Sequence, residues 1–256
     1  MDKKFRIVML IGRDDSSSII YHALKGEFQV EKVIIEEPVP KQRVITNRIK
    51  RLGLWVVSGQ ILFILSNKLF SKFAISRIDE IKEQYQLDDS AIDDDKLLHV
   101  ESINDQEVIE ILQEIDPDAI VVNGTRIISG EVLDSLDKPF VNTHAGITPK
   151  YRGVHGGYWA LVNDDAEHCG VTIHLVDRGI DTGEVLYQET ICTTEADSFN
   201  TYPYLQLAQA IPLMKHSLRD IEESRLKIKK VDLPSKLWYH PTIWRYLWSI
   251  IKRGVK

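Results

Sequence analysis

Apolar positions along this chain follow two rhythms, one of strands and one of helices. FRIVMLIG (residues 5–12) is an apolar run broken only by Arg6, and FQVEKVIIEEP (residues 28–38) is a second. Residues 18–24 between them suit a helix. Short apolar runs bounded by turn residues predict buried strands, and a β-α-β opening predicts a parallel sheet. The same order resumes after residue 100. In NDQEVIEILQEIDPD, Val108, Ile111, Leu112 and Ile115 recur at helical spacing. Asn104 reads as the N-cap, with Glu107 three residues on, and Asp116-Pro117 as the stop. AIVVNG predicts a buried strand, SGEVLDSL a short helix and PFVNT another strand. CGVTIHLV and GEVLYQETI predict two more strands around the hairpin loop DRGIDTG. Leu207, Ile211, Met214, Leu218 and Ile221 step by fours and threes, so residues 202–226 predict an amphipathic helix. The expected fold is α/β: a Rossmann-like, mostly parallel sheet with helices on both faces and a C-terminal β-hairpin.

Two segments depart from this rhythm. Residues 41–51 carry five basic side chains and no acid. Residues 52–70 then approach bilayer-spanning length, but Ser58, Gly59, Gln60, Ser66, Asn67 and Lys68 interrupt them. A buried or interfacial helix is expected there. DDSAIDDD (residues 88–95) reads as a solvated acidic loop, and residues 236–256 form an aromatic, basic tail. The expected organisation is a catalytic unit over 1–195, with a helical, apolar-basic insertion near 41–80. A C-terminal amphipathic helix and tail occupy 196–256. The two aromatic-basic segments are expected to pack on the core or a second subunit, giving a homodimer. The alternative is peripheral contact with a membrane, where Trp and Tyr favour the interface and lysines meet anionic lipid.

Composition narrows the function. Hydrophobic residues make up 43% of 256, enough for a sizeable core in one large or two small domains. The net charge of -6 argues against nucleic acid as the main partner. Cys169 and Cys192 give neither a disulfide framework nor metal-ligand spacing, which fits a reducing, cytoplasmic setting, at the inner membrane face if lipid is met. The start, MDKKFRIVMLIGRDD, has no cleavage site and reads as a first strand.

Candidate chemistry concentrates in FVNTHAGITPKYRGVHGGYWAL, residues 140–161. Side chains two apart on a strand project to the same side, so Asn142 and His144 point together beyond the carboxyl edge of the sheet, where open parallel sheets bind ligands. A carboxamide and an imidazole can together stabilise a developing oxyanion, and the imidazole can also move a proton. The glycines at 146, 153, 156 and 157 would permit tight turns and close approach of a ligand, and Pro149 would stiffen the loop. A carboxylate is needed to set the charge of His144. Asp181 is the best candidate and Asp177 its rival; either would favour the imidazolium. Arg152 would hold an anionic part of a substrate or make a loop salt bridge. His155 would contact the substrate or cap the next helix. His168 and His174 read as surface and strand residues, and no ligand spacing supports a metal site at His144, His155 and His168. The loop at Gly12 opens a helix whose N-terminus could bind phosphate, but Asp14 and Asp15 would repel it.

Asn-x-His, then Pro and YRG, then VDRGIDTG, resemble the folate-dependent formyltransferases, strongly over residues 118–188. That family includes glycinamide ribonucleotide, methionyl-tRNA and sugar N-formyltransferases. The resemblance implies Asn142, His144 and Asp181 as the catalytic set and 10-formyltetrahydrofolate as the formyl donor. It places the pterin against Gly124, Thr125, Arg126, Ile127 and Ile128, and against Val176, Asp177 and Gly179. Asn142 and a protonated His144 would stabilise the oxyanion, while Asp181 keeps the ring charged. Where the family commonly has Pro-Ser-Leu-Leu-Pro after the His, this chain has AGITP. By elimination the acceptor is a small amine. A purine-precursor phosphate is disfavoured by Asp14 and Asp15. The residues after 191 look like helix plus tail rather than the extra domain of the tRNA enzymes. No N-terminal regulatory domain like that of the hydrolases is seen. What remains is a nucleotide-linked amino sugar for surface glycans; the alternatives are glycinamide ribonucleotide or methionyl-tRNA as acceptor, or a folate-binding module without turnover.

Overall fold

The strands are β1 (Arg6–Ile11), β2 (Gln29–Glu36), β3 (Leu97–Val100), β4 (Ala119–Asn123), β5 (Phe140–His144), β6 (Arg152–Gly153), β7 (Gly170–Leu175), β8 (Val185–Thr190) and β9 (Leu237–Trp238). Seven of them build one sheet in the order β3-β2-β1-β4-β5-β7-β8. It is parallel from β3 to β5, and β7 and β8 close it antiparallel. The computed structural model describes residues 4–256; residues 1–3 and the side chains of residues 41 and 43 lie outside that description.

Strand periodicity divides the core. Ile7, Met9 and Ile11 join Val121 and Val141 on one face; Val8 and Leu10 join Ile120 and Val122 on the other. The helices are α1 (Asp15–Lys25), α2 (Lys41–Leu52), α3 (Leu54–Tyr85), α4 (Gln106–Ile115), α5 (Gly130–Leu133), α6 (Gly156–Val162), α7 (Tyr202–Glu222) and α8 (Ile243–Arg253). Residues of α1, α3, α6, α7 and α8 cover the first face and residues of α4 and α5 the second.

Several local expectations change. β3 follows the acidic loop and was not predicted: it has four residues, sits at the sheet edge and carries exposed His99. Asp105, not Asn104, occupies the N-cap of α4. Asn104 instead donates from Nδ2 to the Ile127 carbonyl at 2.9 Å and accepts from Ser129 N at 2.7 Å, tethering the loop after β4. The amphipathic helix α7 ends at Glu222 rather than 226.

The larger difference concerns α3. It runs unbroken for 32 residues from Gly53, whose φ of 83° separates it from α2. Val57, Phe63, Ala74 and Ile81 are buried, but Leu54, Trp55, Leu62, Leu65, Leu69 and Phe73 are exposed. The segment is therefore buried on one face only. Among the described residues α3 is the helix long and apolar enough to cross a membrane. It is tied down instead: Gln60 Nε2 donates to His240 O at 2.9 Å, Asn67 and Asn200 exchange amide hydrogen bonds, and Arg77 pairs with buried Asp197 at 2.9 Å. Trp244 of α8 stacks on Trp55, ring centroids 4.6 Å apart.

Candidate active site

β5 ends at the carboxyl edge of the sheet, and its period of two brings Asn142 and His144 to one side, as expected. The buried His144 ring donates from Nε2 to the Tyr151 carbonyl at 2.7 Å. A carbonyl only accepts, so Nε2 carries a proton. Nδ1 faces Asp181 Oδ2 at 3.4 Å. Asp181 reaches this position through a left-handed backbone, φ 49°, and its Oδ2 accepts from Gly153 N at 2.8 Å. Asp177, the rival, instead folds its own loop by accepting from Gly179 N and Thr182 Oγ1.

Two glycines of this stretch are also required by the chain's own packing. A Cβ on Gly146 would lie 2.5 Å from the Tyr151 carbonyl and 2.9 Å from His144 Nε2. The departure to AGITP thus makes room for the hydrogen bond that fixes the ring. At Gly153, φ is 94° and a Cβ would lie 2.3 Å from the Trp238 carbonyl. That contact comes from the tail: β9 pairs with β6, Arg152 opposite Leu237 and Gly153 opposite Trp238. The C-terminal segment therefore holds the strand that holds Asp181.

His174 was read only as a strand residue, and its part in the site was missed. It is buried on β7 directly opposite Asn142. Its Nδ1 donates to the Leu175 carbonyl at 2.7 Å, leaving Nε2 to accept from Asn142 Nδ2 at 3.0 Å. This pairing orients the carboxamide. Residue spacing could not reveal it, because antiparallel register is a tertiary property.

The charge of His144 differs from expectation. Burial draws its pKa below the ordinary value, and Asp181 and the Tyr151 carbonyl oppose that without prevailing. Asp181 goes the other way: burial resists its ionisation, but His144, His174 and the Gly153 N–H outweigh it and hold the carboxyl down at about 2. The two tendencies conflict, because a charged His144 and a proton on His174 Nε2, which here accepts from Asn142, are part of what favours the carboxylate. The Gly153 N–H favours the ionised carboxyl independently, so the arrangement we adopt is a neutral ring beside a carboxylate. A neutral ring in this position has a free nitrogen able to take a proton, where the sequence leads to an expected imidazolium.

A cleft of about 500 Å³ opens at this edge. Asn142, His144 and Asp181 line it together with Gly124, Thr125, Arg126, Ile127, Ile128, Val176, Asp177 and Gly179. The Arg126 side chain turns away, pairing with buried Glu36 and donating to the Glu101 carbonyl at 3.0 Å. Glu36 also accepts from Arg126 N at 3.1 Å, which fixes the loop backbone. Isoleucines and turn backbone on this wall suit a flat heterocycle.

The three expected substrate residues are placed differently. Arg152 is absent from the cleft lining; its Nη1 donates to the Ile180 carbonyl at 2.9 Å, bracing the residue before Asp181. His155 lines the cleft and precedes α6 with φ 59°, but its Nε2 bonds His240 Nδ1 at 2.9 Å and its ring packs on Phe199. Burial pushes His155 down to about 3. Gly12 lies off the cleft wall, its N–H spent on the Asn123 carbonyl. The N-terminus of α1 is filled by Asp14, whose Oδ1 accepts from Ser17 N at 3.1 Å, so the anion position belongs to the chain's own carboxylate. Asp165, Glu167 and His168 cluster elsewhere; the expected absence of a metal at His144 and His155 has no bearing on them.

A sheet of this order, with a cleft at its carboxyl edge, defines an α/β protein whose cleft lies where open parallel sheets bind ligands. The chain belongs to the formyl transferase family, whose model matches residues 73–208. It is 32% identical over 133 residues to the methionyl-tRNA formyltransferase of Caldanaerobacter subterraneus subsp. tengcongensis, covering 51% of this chain and 43% of that protein. To the GDP-perosamine N-formyltransferase of Brucella melitensis biotype 1 it is 31% identical over 121 residues, covering 47% and 46%. The chain thus spans less than half the length of these curated relatives. A sugar N-formyltransferase from Shewanella sp FDAARGOS_354 shares the fold with a TM-score of 0.56 at 15% identity, over 91% of this chain and 76% of that one. Glycinamide ribonucleotide transformylase 1 from Symbiobacterium toebii does so at 0.58 and 18%, over 91% and 96%.

Proposed function

We propose that the chain is an N-formyltransferase that moves a formyl group from 10-formyltetrahydrofolate to the amine of a small acceptor, a nucleotide-linked amino sugar. The observation that carries this reading is the meeting of Asn142, His144 and Asp181 on one cleft, beside the two loops whose family counterparts hold the pterin. When bound, the folate supplies an activated formyl carbon. Gly124–Ile128 and Val176–Gly179 would hold it. Asn142, with one N–H committed to His174, offers the other to oxygen charge as it develops. The neutral His144 ring accepts the amine proton at Nδ1, where Asp181 Oδ2 stabilises the resulting charge. The proton on Nε2 stays with Tyr151 O.

The GDP-perosamine relative supports an amino-sugar acceptor, and the carboxylate filling the α1 N-terminus speaks against a phosphate there. The methionyl-tRNA relatives favour a second reading, with aminoacyl-tRNA as acceptor. Release of tetrahydrofolate, followed with a panel of amino-sugar nucleotides and with methionyl-tRNA, separates the two. Folate binding without release on any of them overturns the proposal in favour of an inactive module.

A further inference from the structure

The feature least explained by formyl transfer is the outer face of α3 and α8. On α3, Leu62, Leu65, Leu69 and Phe73 recur every three or four residues and form one stripe, exposed by 51%, 56%, 62% and 87%. Lys68 and Lys72 lie beside it, both exposed. On α8, Leu247, Trp248 and Ile251 are exposed, and Arg245 lies over the Trp248 ring at 4.6 Å. Ordinary monomer surfaces scatter such residues singly; a contiguous patch marks an interaction site.

The charge around the patch identifies its occupant. Residues 38–78 and 233–256 together carry thirteen Lys and Arg and not one Asp or Glu, in a chain whose net charge is -6. These elements are therefore strongly positive in a chain that is acidic overall. A second copy docking through a two-fold axis would bring Lys68, Lys72 and Arg245 against their own kind, with no local acid to pair them. Aromatic and leucine side chains flanked by Lys and Arg are instead the signature of a helix lying in an anionic lipid interface. Spanning is excluded by the other face of α3, which is locked to the core by Phe63 and Ile81 and by the bonds to His240 and Asn200.

We propose that α3 and α8 dock the protein peripherally on an anionic membrane, with their outward apolar side chains at the acyl boundary and their basic residues among the headgroups.

The test is flotation of the intact chain with phosphatidylcholine vesicles, with and without phosphatidylglycerol. Binding at least about tenfold stronger with phosphatidylglycerol, and weakened by high salt, is expected. The pair Leu65→Glu/Phe73→Glu and the pair Lys68→Glu/Lys72→Glu should each lower binding by about tenfold or more with unchanged circular dichroism. A blue shift of wild-type tryptophan emission on the same vesicles, through Trp55 and Trp248, reads the contact without any variant. Equal or negligible binding to both vesicles overturns the proposal. So does a solution dimer dissolved by Leu65→Glu/Phe73→Glu, which assigns the face to a second copy, or retention on tRNA that this variant leaves intact while vesicles are ignored.

Discussion

The cleft at the end of β5 and the outer face of α3 violate the usual partition of side chains in opposite senses. In the cleft, two histidines and an aspartate are buried or nearly so, and each is held by named partners: Tyr151 O, Asn142 and Gly153 N. On α3, leucines and a phenylalanine face water with none. Buried polar groups survive only when hydrogen-bonded, and exposed apolar groups survive only when something offsets their cost. The polar groups of the first region are satisfied within the chain, while the second presents apolar side chains to solvent.

The sharpest break of this comparison is at Asp181. Asp181→Asn keeps an acceptor for Gly153 N but removes the charge that stabilises a proton on His144. A fall of about a thousandfold in kcat/KM for tetrahydrofolate release is expected. Near-full activity would remove Asp181 from the mechanism.

Two of the three phenylalanines of α3, Phe63 and Phe73, offer the next contrast. Phe63 is buried against Phe199 and Tyr246 while Phe73 is 87% exposed. Phe63→Ala should cost about 4 kcal/mol of unfolding free energy and Phe73→Ser less than about 0.5 kcal/mol. Urea titration of both measures the difference. Comparable losses would mean that the outer face is already partnered within the chain.

The His155–His240 pair behind the cleft makes a pH prediction. Burial depresses His155 to about 3 and His240, also pressed by Arg48, to about 4. Both lie below the unfolded value near 6.5, so the stability from keeping them neutral is complete above pH 6.5 and is lost as pH falls towards 4. The loss should be on the order of 3 kcal/mol for each ring by pH 4. His240→Gln should flatten it in denaturant titrations, and an unchanged slope would show that the pair does not carry it. His144, also depressed, places the acid limb of kcat/KM below the ordinary histidine range; loss of activity as pH rises through the histidine range would instead favour the imidazolium.

The smallest effect concerns His174. His174→Ala frees the Asn142 carboxamide to rotate, and a loss of about thirtyfold in kcat with KM little changed is expected. Restoration by Asn142-directed acceptors such as His174→Gln would mark positioning rather than bulk packing; a shift confined to KM would not fit.

Much of this protein could be read from its residues. Strand and helix periodicities are local, so β1, β4, β5, β7, β8, α4 and α7 followed from apolar spacing within a residue or a few at each end. The meeting of Asn142, His144 and Asp181 on one cleft was legible in a motif whose spacing survives in the chain. β3 did not, because four residues at a sheet edge carry too short a pattern to register. What only the tertiary structure decided is pairing across distance. The opposition of His174 and Asn142, the return of β9 to Gly153, and the neutrality of His144 depend on register and burial, which no local window contains. The same holds for α3: its composition announced an apolar helix, but only packing chose which face turned inward and which was left to meet a partner.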